Sequence, residues 1–170
     1  MRLLLVSLLS AYAAAQTACP PFEFVYAPQN AGTGAQFESA ASKVWSKGYG
    51  AAGYSLYTNL TALIPGMAGY PVHYPASFSG CTSEDPGIKD MQNHLIARAK
   101  QCPDIKFSLG GHSQGGFVTA RTLPRLPKEV NKKIIAVTMF GSPRCIDKLG
   151  VAGRCKSYCY KNDEVTNENR

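Results

Sequence analysis

The sequence predicts an α/β fold, a single domain built on a doubly wound, mostly parallel sheet with helices on both faces. Three observations lead there. Short apolar runs rich in aromatic and β-branched residues recur along the chain. Segments with helical periodicity lie between them, and Gly111-His112-Ser113-Gln114-Gly115-Gly116 stands where one such strand gives way to a helix. Strands separated by helices favour parallel pairing, because each crossover lays a helix on the sheet. A chain of 170 residues is long enough for one domain with a substantial core.

The first fifteen residues are read as a targeting segment. Arg2 supplies a positive start, Leu3 to Leu9 an apolar run, and Ala13-Ala14-Ala15 a small-residue cleavage site. That pattern is a secretory signal peptide, which leaves 16–170 as the domain. Within it, FEFVYA (22–27) reads as a buried strand. FESAASKVWSKG (37–48) reads as a helix with Phe37, Ala40, Ala41, Val44 and Trp45 on one stripe and Gly48 as its stop. PVHYPA (71–76) is a short strand closed by proline. Asp85 then caps a helix over 85–103, with Pro86 at its first position and Ile88, Met91, Leu95, Ile96 and Ala99 at helical spacing. IKFSLG (105–110) is a strand, Gln114 to Leu123 a helix stopped by Pro124, IIAVTMFGSP (134–143) a strand, and KSYCYK (156–161) a last short strand.

Composition narrows the function. The formal net charge of +7 falls by one if Arg2 leaves with the signal, and its lysines and arginines are spread along the chain with no nucleic-acid motif beside them. A solvated surface is expected, with no nucleic-acid partner; weak attraction to acidic polymers stays open. Six cysteines, Cys19, Cys81, Cys102, Cys145, Cys155 and Cys159, suit an oxidising compartment and disulfides. None shows a C-x-x-C spacing and the three histidines are scattered, which speaks against a metal site. No segment after the first is long and apolar enough to span a bilayer. Asn59-Leu60-Thr61 is a glycosylation sequon, expected at the surface.

The Gly-His-Ser-Gln-Gly run carries the chemistry. A sharp turn from strand to helix forces its central residue into a strained backbone conformation, tolerated when the neighbours lack bulk. Gly111 and Gly115 give that room, so the Ser113 hydroxyl is raised from the sheet edge beside unpaired N–H groups at a helix start. Those donors and the helix dipole suit an oxyanion. The same glycines could merely let strand and helix pack closely, but the strand before and helix after favour the nucleophile elbow. A phosphate loop fits less well, since its Lys-Ser/Thr pair is missing.

GHSQGG preceded by CPDIKFSLG resembles the nucleophile segment of the fungal cutinases and the acetylxylan esterases of carbohydrate esterase family five, which have the α/β-hydrolase fold. VHYPASF (72–78), the helix ending in Cys102-Pro103-Asp104, MFGSP (139–143) and KSYCYKNDEV (156–165) resemble further segments of that family, so the likeness spans nearly all of 16–170. It implies a secreted serine esterase acting on cutin-type polyester or acetylated xylan, with Ser113 as nucleophile and Asp163 as the acid of the triad; Asp147 and Glu164 are the fallback acids. The backbone N–H of Gln114 and the polar Asn30, with Thr33 close by, are the expected oxyanion donors. It also implies a Cys19–Cys102 disulfide. Such a reaction needs neither metal nor organic cofactor. The expected partner is a polymeric or small ester substrate, and a monomer is expected.

The resemblance fails first at the base. In the family the base histidine follows the acid, whereas His73, His94 and His112 all precede Asp163 and the sequence given runs only to Arg170. The expectation is a C-terminally incomplete domain with little or no turnover as it stands. Thr166 also replaces the cysteine that normally follows the valine, leaving Cys159 without its usual partner. The alternative reading is a secreted, non-catalytic relative that binds wax or polysaccharide.

Overall fold

In the computed structural model the described residues are 19–29, 46–76, 83–142, 145, 150–151 and 153–161. Five strands form one sheet: β1 (Phe22–Ala27), β2 (Ala68–Pro71), β3 (Lys106–His112), β4 (Ile134–Phe140) and β5 (Cys155–Tyr158). The order is β2-β1-β3-β4-β5 and every pairing is parallel. The helices are α1 (Gly50–Leu63), α2 (Asp85–Gln101), α3 (Gln114–Thr122) and the short α4 (Lys128–Asn131), with a 3-10 turn at Leu123–Arg125. The predicted fold class is the one observed.

All six residues of β1 are buried, because it lies inside the sheet with helices on both sides. Phe22, Phe24 and Tyr26 face one layer and pack with Tyr49 and with Tyr54, Tyr57 and Leu60 of α1. The opposite layer is larger. Val25, Phe107, Leu109, Val137 and Met139 of the strands meet Ile88, Met91 and Leu95 of α2 and Val118 of α3. Each of these side chains contributes roughly 1.5–3 kcal/mol by leaving water.

Sequence reading missed α1, GAAGYSLYTNLTAL. Its inward residues are small as well as aromatic, so no aliphatic stripe announces it. A Cβ on Gly53 would collide with the Tyr26 ring; the glycine therefore lets the helix axis approach the sheet, outweighing its helix-propensity cost of about 1 kcal/mol. The β2 expectation needs moving. The ladder runs over Ala68–Pro71, paired with Glu23 to Tyr26, and 72–76 follow it as irregular chain. Asp85 is the first helical residue of α2, with Glu84 as the cap and Pro86 in the first turn; a one-residue shift of this kind is ordinary at helix ends. The strand from Ile134 stops at Phe140, and the helix from Gln114 tightens into its 3-10 turn at Leu123. The targeting segment and residues 37–45 of the predicted helix lie outside the described residues. Among the described residues no helix is long and apolar enough to cross a membrane.

A buried charge cluster pins α2 to the sheet. Glu23 is 3% exposed, and its Oε2 lies 3.3 Å from His94 Nε2 and 3.4 Å from Arg98 Nε. The His94 ring stacks on Tyr70 with centroids 3.5 Å apart. Tyr70 donates its hydroxyl proton to the Asp90 carboxylate at 3.1 Å. Burial, reinforced by that bond, pushes the Tyr70 phenol up to about 12.

Two disulfides join described residues. Cys19–Cys102 ties the chain before β1 to the end of α2 across 83 positions, and Cys145–Cys155 closes the shorter loop before β5. Cys159 is a free, exposed thiol, and Cys81 lies outside the described residues. Closing so long a loop restricts the unfolded chain more than the folded one. Replacing Cys19 and Cys102 together by serine is expected to lower stability by about 2–4 kcal/mol, read as a fall in the urea unfolding midpoint.

Candidate active site

The strand order places a reversal at β1. The chain passes from β1 outward to β2, then returns across β1 to β3. In open parallel sheets the crevice at such a reversal, beyond the carboxyl ends of the strands, is where ligands bind. Here those ends bring Ala27-Pro28-Gln29, His112-Ser113 and Phe140-Gly141-Ser142 to one edge. The register is level, since His112 pairs with Phe140 and Phe140 with Tyr158.

Ser113 sits between β3 and α3 with φ 52° and ψ −119°. A side chain at positive φ crowds its own backbone, costing on the order of 1–3 kcal/mol. The surroundings hold it there. Ser113 N–H donates to Phe140 O at 2.9 Å, and Gly116 N–H donates back to Ser113 O at 2.9 Å. The buried Ser142 hydroxyl lies 2.7 Å from Phe140 O and 3.2 Å from Ser113 O, sharing its proton between them. Thr119, also buried, donates its hydroxyl to Gly110 O and Gly115 O, at 2.9 and 3.0 Å. The turn is thus bonded from β4 as well as from its own helix.

The glycines supply space. A Cβ on Gly111 would overlap Gly115 O, and one on Gly115 would overlap Ala27 O and Pro28 O. Ser113 caps α3, so Gln114 opens the first turn of that helix, whose N–H groups lie at its positive end. Those groups and the positive end of the helix dipole suit a developing oxyanion. The Gln114 side chain reaches sideways, donating from Nε2 to the buried Ser83 hydroxyl at 2.6 Å. Beside Ser83, burial raises the Glu84 carboxyl above its ordinary range, with Arg121 pulling the other way; the two side chains form an ion pair.

Sequence reasoning did not single out Tyr74, Ser83 or Ser142. Tyr74 donates its hydroxyl to Pro28 O and lays its ring against Gly87, so it ties the end of β1 to the first turn of α2. A cavity of about 270 Å³ opens beside it, lined by Pro28, Gln29, Val72, His73, Tyr74 and Ala76 among others. The tyrosine was visible inside VHYPA and the serine inside MFGSP, but their partners are distant in sequence.

Of the predicted site residues, Ser113 and Gln114 stand together at the elbow. Asn30 and Asp163 lie outside the described residues, as do Thr33, Asp147 and Glu164. Described chain leads up to both: Gln29 follows β1, and β5 ends at Tyr158, level with His112 across β4. The histidines are occupied elsewhere. His73 is exposed and lies 3.1 Å from the Tyr70 hydroxyl, with its backbone N–H donating to Asp90 at 2.9 Å. His94 belongs to the Glu23 cluster, and His112 ends β3 one residue before the serine.

Known proteins share this arrangement. The cutinase family model matches residues 18–169. Carboxylesterase Culp1 of Mycobacterium tuberculosis is 32% identical over 100 residues, covering 58% of this chain and 46% of that protein. Cutinase cut1 of Trichoderma harzianum is 40% identical over 91 residues, covering 52% of this chain and 36% of that protein. The chain thus spans about half the length, or less, of these curated relatives. Among solved structures, the catalytic core domain of acetyl xylan esterase from Trichoderma reesei superposes with a TM-score of 0.66 at 17% identity, over 87% of this chain and 86% of that one. At that identity the likeness shows the fold.

Carbonyls held by the sheet cannot move aside for a new methyl group. Gly115→Ala is therefore expected to cost about 1–3 kcal/mol and to separate the end of β1 from the elbow, seen as a lower thermal midpoint with far-UV dichroism retained.

Proposed function

The chain belongs to the cutinase family, and we propose that it is a secreted serine esterase that hydrolyses carboxylic esters through an acyl-enzyme on Ser113. The observation that carries this reading is the strained backbone of Ser113, held at φ 52° between a strand and a helix start. A fold keeps such strain where it serves a purpose. Raising a hydroxyl beside outward N–H groups is the purpose a nucleophile requires.

In the proposed reaction the Ser113 Oγ attacks the ester carbonyl and gives up its proton to a base. The carbonyl oxygen, now negative, accepts a hydrogen bond from Gln114 N–H, with Asn30 as the second donor. Collapse expels the alcohol and leaves an ester on Ser113. Water then attacks that ester with the same base taking its proton, and the acid is released. Asp163 orients the base, which this chemistry takes to be a histidine. His73, His94 and His112 are not given the part, because their partners or positions tie them elsewhere.

The substrate class follows the relatives: an ester of a cutin-type polyester or an acetyl group on xylan. Two disulfides support export to an oxidising compartment, and the apolar start of the sequence supports a signal peptide as the route.

Ser113→Ala in the full-length protein is expected to cut p-nitrophenyl ester turnover by on the order of 10⁴ or more without shifting the unfolding midpoint. A phosphonate probe should label wild-type Ser113. Turnover retained by the variant, or a label on another residue, would remove the nucleophile from the proposal.

A further inference from the structure

The edge of the sheet opposite Ser113 is cationic. There the strands begin, and exposed Lys106 opens β3 while exposed Lys100 and Arg125 close the adjoining helical segments. A cleft of about 460 Å³ lies at this edge, lined by Leu123, Leu126, Lys128, Lys132 and Arg154 among others. Leu123 and Leu126 are buried, whereas Pro124, Lys128 and Lys132 are exposed. Asp104 and Glu129 are the exposed acids at this edge among the described residues.

Much of this charge has a reason within the fold. Lys100 and Arg98 end α2, where the helix dipole favours a cation. Arg154 donates to Ile134 O and Gly150 O, and Lys133 donates to Pro103 O. Among the described residues the Lys128 and Lys132 side chains donate to no such acceptor. Lys132 caps the C-terminus of the four-residue α4 and lies four positions after Lys128, so the two repel across one helical turn. Both line the cleft.

We infer that this cleft is a docking site for a carboxylated polysaccharide, held at the end of the molecule remote from Ser113. Lysine ammonium groups are compact, strongly hydrated charges that meet carboxylates spaced along a flexible polymer without demanding one geometry. Among the described residues no aromatic ring lines the cleft to stack a nucleobase. The two disulfides belong to an oxidising compartment, where acidic glycans are the abundant polyanions. A polymer bound here leaves the Ser113 edge facing away from its anchor.

Co-sedimentation and affinity electrophoresis of the full-length protein with polygalacturonate, at low salt, test the inference. Binding is expected, falling steeply between 50 and 500 mM salt as exposed charges are screened. Lys128→Glu combined with Lys132→Glu should weaken it about tenfold, and Lys128→Gln with Lys132→Gln by less, with unfolding midpoints and p-nitrophenyl ester turnover unchanged. Equal binding by the charge-reversed variant would overturn the assignment. So would binding to uncharged xylan, single-stranded DNA or phosphatidylserine vesicles as tight as binding to polygalacturonate.

Discussion

The constraint on which the rest depends is the backbone of Ser113. At φ 52° and ψ −119° this residue would relax if its neighbours allowed it. They do not, because Phe140 O binds its N–H and Gly116 N–H binds its carbonyl, while Ser142 bridges the two strand ends. Relaxing one residue would break contacts with β4, α3 and Ser142. A cost of a few kcal/mol at one position is therefore carried by the sheet as a whole.

The sheet can carry it because its centre is dry and doubly covered. β1 is buried throughout, with aromatic side chains toward α1 and aliphatic ones toward α2 and α3. The Glu23 cluster adds direction to this burial. A carboxylate that is 3% exposed must keep its cation, since losing Arg98 would leave an uncompensated charge in the interior. Arg98, with the His94 ring stacked on Tyr70, therefore holds α2 in register with β1 and β2. That register carries Ser83 and Gly87, at the start of α2, to Gln114 and Tyr74 at the carboxyl edge of the sheet.

Much of this was legible in the sequence, and the misses share a cause. FEFVYA and the elbow are local signals: a continuous apolar run, and a serine between glycines at a change of periodicity. The helix over 50–63 was not legible, because its inward face uses Gly53 against Tyr26, and small residues signal a helix only once the opposing ring is known. The second strand was placed too late for the same kind of reason. Ala68–Pro71 earns its place by pairing with Glu23 to Tyr26, a long-range fact, while the alternation of PVHYPA was visible and misleading. Nothing local to His94 announces Glu23 and Tyr70 beside it, since both come from strands distant in sequence. Asn30 and Asp163 were reached through family resemblance rather than local pattern.

The level ending of β3, β4 and β5 has a further consequence. Each loop on that rim is rooted in a different strand, so lengthening or rewriting one leaves the others' anchors in place. Ser113 is fixed by main-chain bonds below the rim, while the loops are mounted above it. Chains built on such a sheet can thus diverge by exchanging loops while the backbone at this serine stays where it is.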